Sequence, residues 1–202
     1  GSGDNSGKGI SFYNTELGSK GHYLDVVLKI SNMDSDFAVY DTDNKKITGD
    51  FNNTGVALSA EYGRKNSLHN GWYIEPQAQF TVGHIDSTEY TTKNGTRIKY
   101  NGMDSAIARL GLAMGRDFEK GNVYLKASAL HELGGRGEVN MLASDGSSLS
   151  ESKDYGDTWF ELGLGTNVKL GNSSHFYGDI ERSFGADIQK KWQINAGVRF
   201  EF

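Results

Sequence analysis

Apolar and polar residues alternate along most of this chain, most strictly at its end. Trp192, Ile194, Ala196, Val198, Phe200 and Phe202 are separated by Gln193, Asn195, Gly197, Arg199 and Glu201. A period of two puts one set of side chains on each face of a β-strand. Trp72, Ile74, Pro76, Ala78, Phe80 and Val82 repeat the pattern against Tyr73, Glu75, Gln77, Gln79 and Thr81. Phe160, Leu162, Leu164, Thr166 and Val168 do so against Glu161, Gly163, Gly165 and Asn167. Shorter runs cover 24–30, 56–62, 108–115, 123–129 and 176–181, with a weaker one over 10–16. The pattern therefore predicts nine strands.

The connections alternate in length. Leu17–Gly21, Arg64–Gly71, Arg116–Gly121 and Gly171–Ser174 are short; Asp34–Asn53, Ile85–Asp104 and Gly134–Asp157 are long, and Gly185–Lys191 is intermediate. Short turns on one side and long loops on the other mark an antiparallel up-and-down transmembrane β-barrel. A soluble sandwich has no reason to sort its loops this way. Aromatic residues sit near both ends of the strands: Tyr23, Tyr62, Trp72, Phe118, Tyr124, Phe176 and Phe202 beside short turns, and Trp159, Phe184 and Trp192 beside long loops. Two such belts match the two interfaces of a bilayer.

Cost decides which face meets lipid. A Lys or Arg at the bilayer midplane costs about 2–4 kcal/mol on the outside of a barrel. Lys29, Glu61, Glu75, Arg109, Lys126, Asp179, Glu181 and Arg199 all fall on the polar phase of their strands, so that phase is expected to line a wet lumen. Arg182 is the exception, on the apolar phase but close to a loop.

Composition changes this picture little. The chain has 202 residues, no cysteine, one proline and 27 glycines. Disulfides and thiolate metal sites are thereby excluded. So many glycines with one proline place the glycines inside ordered structure rather than in linkers. Mean hydropathy is −0.56, and no apolar run approaches the ~18 residues of a membrane helix; a barrel needs apolar residues only at alternate positions. A net charge of −5, spread along the chain, argues against nucleic acid as a partner. Residues 1–8 read as a linker or a cut edge, and 9–202 as one barrel domain.

The strand texts GHYLDVVLKISNMDSDFAV, TGVALSAEYG, GWYIEPQAQF, NGMDSAIARLGLAMGRDF, NVYLKASALHEL, DTWFELGLGTNVKL and WQINAGVRFEF closely resemble the C-terminal translocator domain of autotransporters, the type V secreted proteins of Gram-negative bacteria. The resemblance covers the chain from about residue 9. It implies localisation in the outer membrane, contact with outer-membrane lipid, and anchoring and export of an upstream passenger domain. It also implies a twelve-stranded barrel with a helix through the pore. Nine strands leave three opening strands, the pore helix and the passenger to be expected upstream. The chain end resembles the signal read by the β-barrel assembly machinery, with Asn195, Gly197, Phe200 and Phe202 at the matching positions. A strand with free backbone donors and acceptors can add to another sheet edge, which gives that signal a physical sense.

Catalytic, metal and cofactor sites are not expected. His22, His69, His84, His131 and His175 are scattered, with no metal-ligand spacing. Asp41, Asp43 and Asp50 lack the glycine and the terminal Glu of a calcium loop and read as a solvated outer loop. Asp86, Glu89 and Asp104 share a long loop but read as solvated too. A small porin or adhesin barrel with exposed loops is the alternative to a translocator, and would carry a signal peptide directly before the barrel. A barrel protease or lipase would need a nucleophile or paired-acid cluster at the long-loop rim, and none is convincing.

Overall fold

The computed structural model describes residues 1–41, 43–171, 173–186 and 190–200. It contains β1 (Ser2–Leu17), β2 (His22–Tyr40), β3 (Lys46–Arg64), the two-residue β4 (Asn66–Ser67), β5 (Trp72–Ile85), β6 (Thr88–Thr91) and β7 (Arg97–Tyr100). Then follow β8 (Met103–Phe118), β9 (Gly121–Glu132), β10 (Arg136–Leu142), β11 (Ser148–Asp154), β12 (Thr158–Lys169), β13 (Ser174–Phe184) and β14 (Gln193–Phe200). The main sheet runs β1-β2-β3-β5-β8-β9-β12-β13-β14, antiparallel at every step, with β4 appended to β5. These nine strands are the nine that the alternation predicts.

Two expectations need correction. β1 begins at Ser2, and Ser2–Gly9 pair with Ser31–Ala38 throughout, so the segment read as a linker belongs to the sheet. The long connections are also not irregular loops. β2 and β3 pair from His22↔Arg64 to Tyr40↔Lys46, closing in a five-residue turn. A membrane strand needs only ~9–11 residues, so the outer half of this hairpin projects beyond the bilayer. There both faces are wet, alternation has no cause, and the sequence loses its strand signature while the backbone still pairs. The turn is made by Asp41, whose carboxylate accepts the backbone N–H groups of Asp43 and Lys45 at 2.9 and 2.8 Å. The other two long connections supply β6–β7 and β10–β11, which join as a second sheet in the order β11-β10-β7-β6.

The polar face of the main sheet is concave. Adjacent strands lie about 4.8 Å apart, and second neighbours twice that, yet side chains on this face meet across an intervening strand. Tyr23 on β2 reaches Glu75 on β5, and Arg109 on β8 reaches Glu61 on β3. The opposite face is aliphatic and open: Leu110 is 69% exposed and Leu125 58%. In water such a face would be a large aggregating patch; in hydrocarbon it is the solvated side.

Four tyrosines sit on the concave face near the short turns, each directly opposite a glycine: Tyr23↔Gly63, Tyr73↔Gly115, Tyr124↔Gly165 and Tyr177↔Gly197. Each ring covers its glycine closely enough to occupy the space of a Cβ there. A Cβ on Gly115 would stand 2.5 Å from Tyr73 Cζ and 2.7 Å from the Val123 carbonyl oxygen, so rotating the ring alone would not relieve it. Gly115→Ala is expected to cost about 1–3 kcal/mol, read as a lower urea midpoint of the full-length protein in detergent. Gly83→Ala, whose nearest atom is 3.5 Å away, serves as the control with little change.

Candidate functional site

The concave face holds a connected polar lining. Arg109, only 5% exposed, is its centre. Its guanidinium donates to Glu61 Oε2 at 2.5 Å, Gln79 Oε1 at 2.7 Å, Ser128 Oγ at 3.2 Å and Gln77 Oε1 at 3.4 Å. Tyr23 donates to Glu61 at 2.8 Å and Glu75 at 3.1 Å, and Gln77 donates to Glu75 at 2.8 Å. Five strands are tied together by these bonds. Period-two alternation makes this happen: each residue sits on the same phase as its cross-strand partner, as in Gln79↔Arg109 and Asp25↔Glu61.

A second cluster lies toward the other edge. Lys126 Nζ is 3.6 Å from Glu181, and Lys190 Nζ is 3.4 Å from Glu161 and 3.9 Å from Glu181. Asn195 donates to Asp179 at 2.9 Å. Near the short turns Lys65 pairs with Asp117 at 2.7 Å and stands 3.9 Å over the Tyr73 ring.

At the long-loop end the concave face opens into a cavity of about 860 Å³, lined among others by Phe51, Met103, Glu132, Tyr155, Trp159 and Tyr100. The second sheet is fastened beside it, with Tyr90 of β6 stacked on Phe51 at 5.0 Å and edge-on to Phe37 at 6.1 Å. Glu132 braces the rim, accepting Ser105 Oγ at 2.5 Å and the N–H groups of Ala106 and Gly134 at 2.8 and 3.0 Å. Burial, then the neighbouring Tyr155, pushes the Tyr100 hydroxyl above its ordinary pKa.

The residues singled out from sequence distribute as follows. Glu61, Glu75, Arg109, Lys126, Asp179 and Glu181 lie in the two clusters. Lys29 and Arg199 share their phase, opposite Ala57 and His175 respectively. Of the ring belt, Tyr62, Trp72, Phe118 and Phe184 face outward, 51%, 42%, 55% and 38% exposed. Phe176 takes the outward phase opposite Val168 and Val198, and Trp192, just before β14, is open to solvent. Tyr23, Tyr124 and Trp159 do not belong to that belt. They occupy the polar phase, Tyr23 in the Glu61–Glu75 bonds, Tyr124 over Gly165, Trp159 in the cavity wall. Nearness to a turn put them in the belt; their parity places them inside. Asn195, Gly197 and Phe200 lie on β14; Phe202 is outside the described residues.

Sequence reading missed Gln79, Ser128, Glu161 and Lys190 as partners. The first three have the right phase, but nothing in the text says how far across the sheet a long side chain reaches. The loop carboxylates stay separate: Asp86 accepts the Thr54 N–H at 2.7 Å, Glu89 pairs with Arg97 at 3.4 Å, and Asp104 pairs with His84 at 2.7 Å.

An antiparallel up-and-down sheet, polar on its concave side and aliphatic on its convex side, defines an outer-membrane β-barrel protein. Comparison with known proteins agrees. A family model described as autotransporter beta-domain matches residues 1–181. The pertactin autotransporter of Bordetella parapertussis is 32% identical over 198 residues, covering 96% of this chain and 21% of that protein. The BrkA autotransporter of Bordetella pertussis is 30% identical over 207 residues, covering 100% and 20%. The crystal structure of the beta domain of the Bordetella autotransporter BrkA superposes with a TM-score of 0.76 at 28% identity, covering all of this chain and 76% of that one. The chain belongs to the autotransporter β-domain family. It spans about a fifth of the length of the curated relatives it matches.

Proposed function

We propose that this domain is the outer-membrane translocator of an autotransporter, anchoring an N-terminal passenger and helping to export it. The observation that carries this reading is the division of faces: charged side chains cross-linked on the concave side, aliphatic ones exposed on the convex side. The concave set, Lys29, Glu61, Glu75, Arg109, Lys126, Asp179, Glu181 and Arg199, lines a hydrated passage. The barrel provides a path and does no chemistry on what passes; its carboxylates serve as hydrogen-bond acceptors and ion-pair partners for neighbouring side chains. Asn195, Gly197, Phe200 and Phe202 present the terminal strand to the β-barrel assembly machinery, and lipid surrounds the aliphatic band.

The test uses the full-length protein in cells, with an epitope in the passenger. Surface protease should remove the epitope from intact cells, and the barrel should migrate faster on gels unheated than boiled. Deleting Phe202 should lower the heat-modifiable fraction sharply. An epitope that stays protected in cells whose barrel is heat-modifiable would overturn export and favour a barrel whose own loops are the functional part.

A further inference from the structure

Arg64, Arg116 and Arg182 share the outward strand phase of the main sheet, and among the described residues Arg116 and Arg182 are the two of these that stand against aromatic rings. Arg182 shares its face with Ile180 and Phe184 and lies opposite Leu162 on β12. Arg116 lies opposite Trp72 and Val123. Both are solvent-open, and neither has a hydrogen bond or ion pair among the described residues. Each is instead set between two rings. The Arg182 guanidinium carbon stands 5.0 Å from the Phe184 ring and 5.2 Å from Trp192; that of Arg116 is 5.6 Å from Phe118 and 5.9 Å from Trp72. One such cluster sits near the long loops and the other near the short turns.

Ring faces hold a guanidinium by its plane and leave its N–H edge free. An arginine on the outside of a barrel cannot satisfy five donors in hydrocarbon, and β13 ends two residues later, at headgroup depth. The anion available there is the phosphate of a lipid headgroup, which a guanidinium grips with paired hydrogen bonds. We propose that Arg182, Phe184 and Trp192 form a docking site for the phosphate of a membrane lipid at the long-loop interface, with Arg116, Trp72 and Phe118 as its counterpart at the other. Phe184 and Trp192 cover the sugar or glycerol and the first acyl carbons while Arg182 holds the phosphate.

This rests on the convex face being the lipid-facing one, so the experiment reads both. Full-length protein in neutral detergent is titrated with bis-phosphorylated lipid A, with the same lipid stripped of phosphate, and with inorganic phosphate. Bound copies are counted by native mass spectrometry, and heat-modifiable migration is recorded on the same samples. Arg182→Ala should weaken lipid A retention by roughly tenfold, the scale of one charge-assisted contact, and Arg182→Lys should fall between. The stripped lipid should bind both proteins equally poorly. Equal lipid A retention by wild type and Arg182→Ala, with heat-modifiability intact, overturns the docking site alone. Displacement of lipid A by equimolar inorganic phosphate overturns the lipid as its ligand. Loss of heat-modifiability in the wild type overturns the membrane barrel beneath both.

Discussion

Arg109→Ala should be the most damaging single change in the lining, lowering the stability of the full-length protein in detergent by about 3–5 kcal/mol, the scale of breaking a buried ion pair from one side. The loss is large because Arg109 has no spare solvent. Removing it strands Glu61, 20% exposed, without the cation 2.5 Å from it, and takes donors from Gln79, Gln77 and Ser128 together. Arg109→Lys keeps the charge but lacks the fork, so it should recover only part. The double variant Arg109→Met with Glu61→Leu should cost far less than the sum of its single changes, since no charge is then left unpaired. Urea unfolding followed by tryptophan fluorescence measures all of these. A wild-type midpoint for Arg109→Ala would mean that water reaches this network freely and that the lining contributes nothing to the sheet.

How much of this was readable beforehand follows from which residues feel an asymmetric environment. Within the bilayer one face of each strand meets hydrocarbon and the other meets water, so Leu110 against Arg109, or Ile180 against Glu181, writes the fold into the text. The nine strands were legible for that reason. Outside the bilayer the asymmetry ends. Asn32–Phe37 pair with Gly49–Thr54 as regularly as any strand, yet their sequence reads as loop, and the β6–β7 and β10–β11 hairpins were missed in the same way. Tyr23, Tyr124 and Trp159 show a different failure. They stand near strand ends, as belt residues do, but their odd or even position, which is plain in the sequence, is that of the polar face. The partners of Arg109 were legible as a class and not as pairs. Which carboxylate it meets depends on the curl of the sheet, and curl is a property of the sheet as a whole.

The second large effect is on the other face. Leu110 stands near the middle of β8, 69% exposed, between Ala78 on β5 and Ala129 on β9. Leu110→Arg is expected to cost about 2–4 kcal/mol, because two small neighbours offer no carboxylate and the headgroups lie too far for the side chain to reach. The same substitution at Phe118, the last residue of β8, should cost about 0–1 kcal/mol, since its guanidinium meets the interface. The contrast between the two sites is the measurement. It removes the general price of adding a charge and leaves only depth. Refolding of the full-length protein into phospholipid vesicles across a urea series gives both values. Two equal costs, or two negligible ones, would place Leu110 in water rather than in hydrocarbon, and the lipid-facing assignment of the aliphatic rows would fall with it.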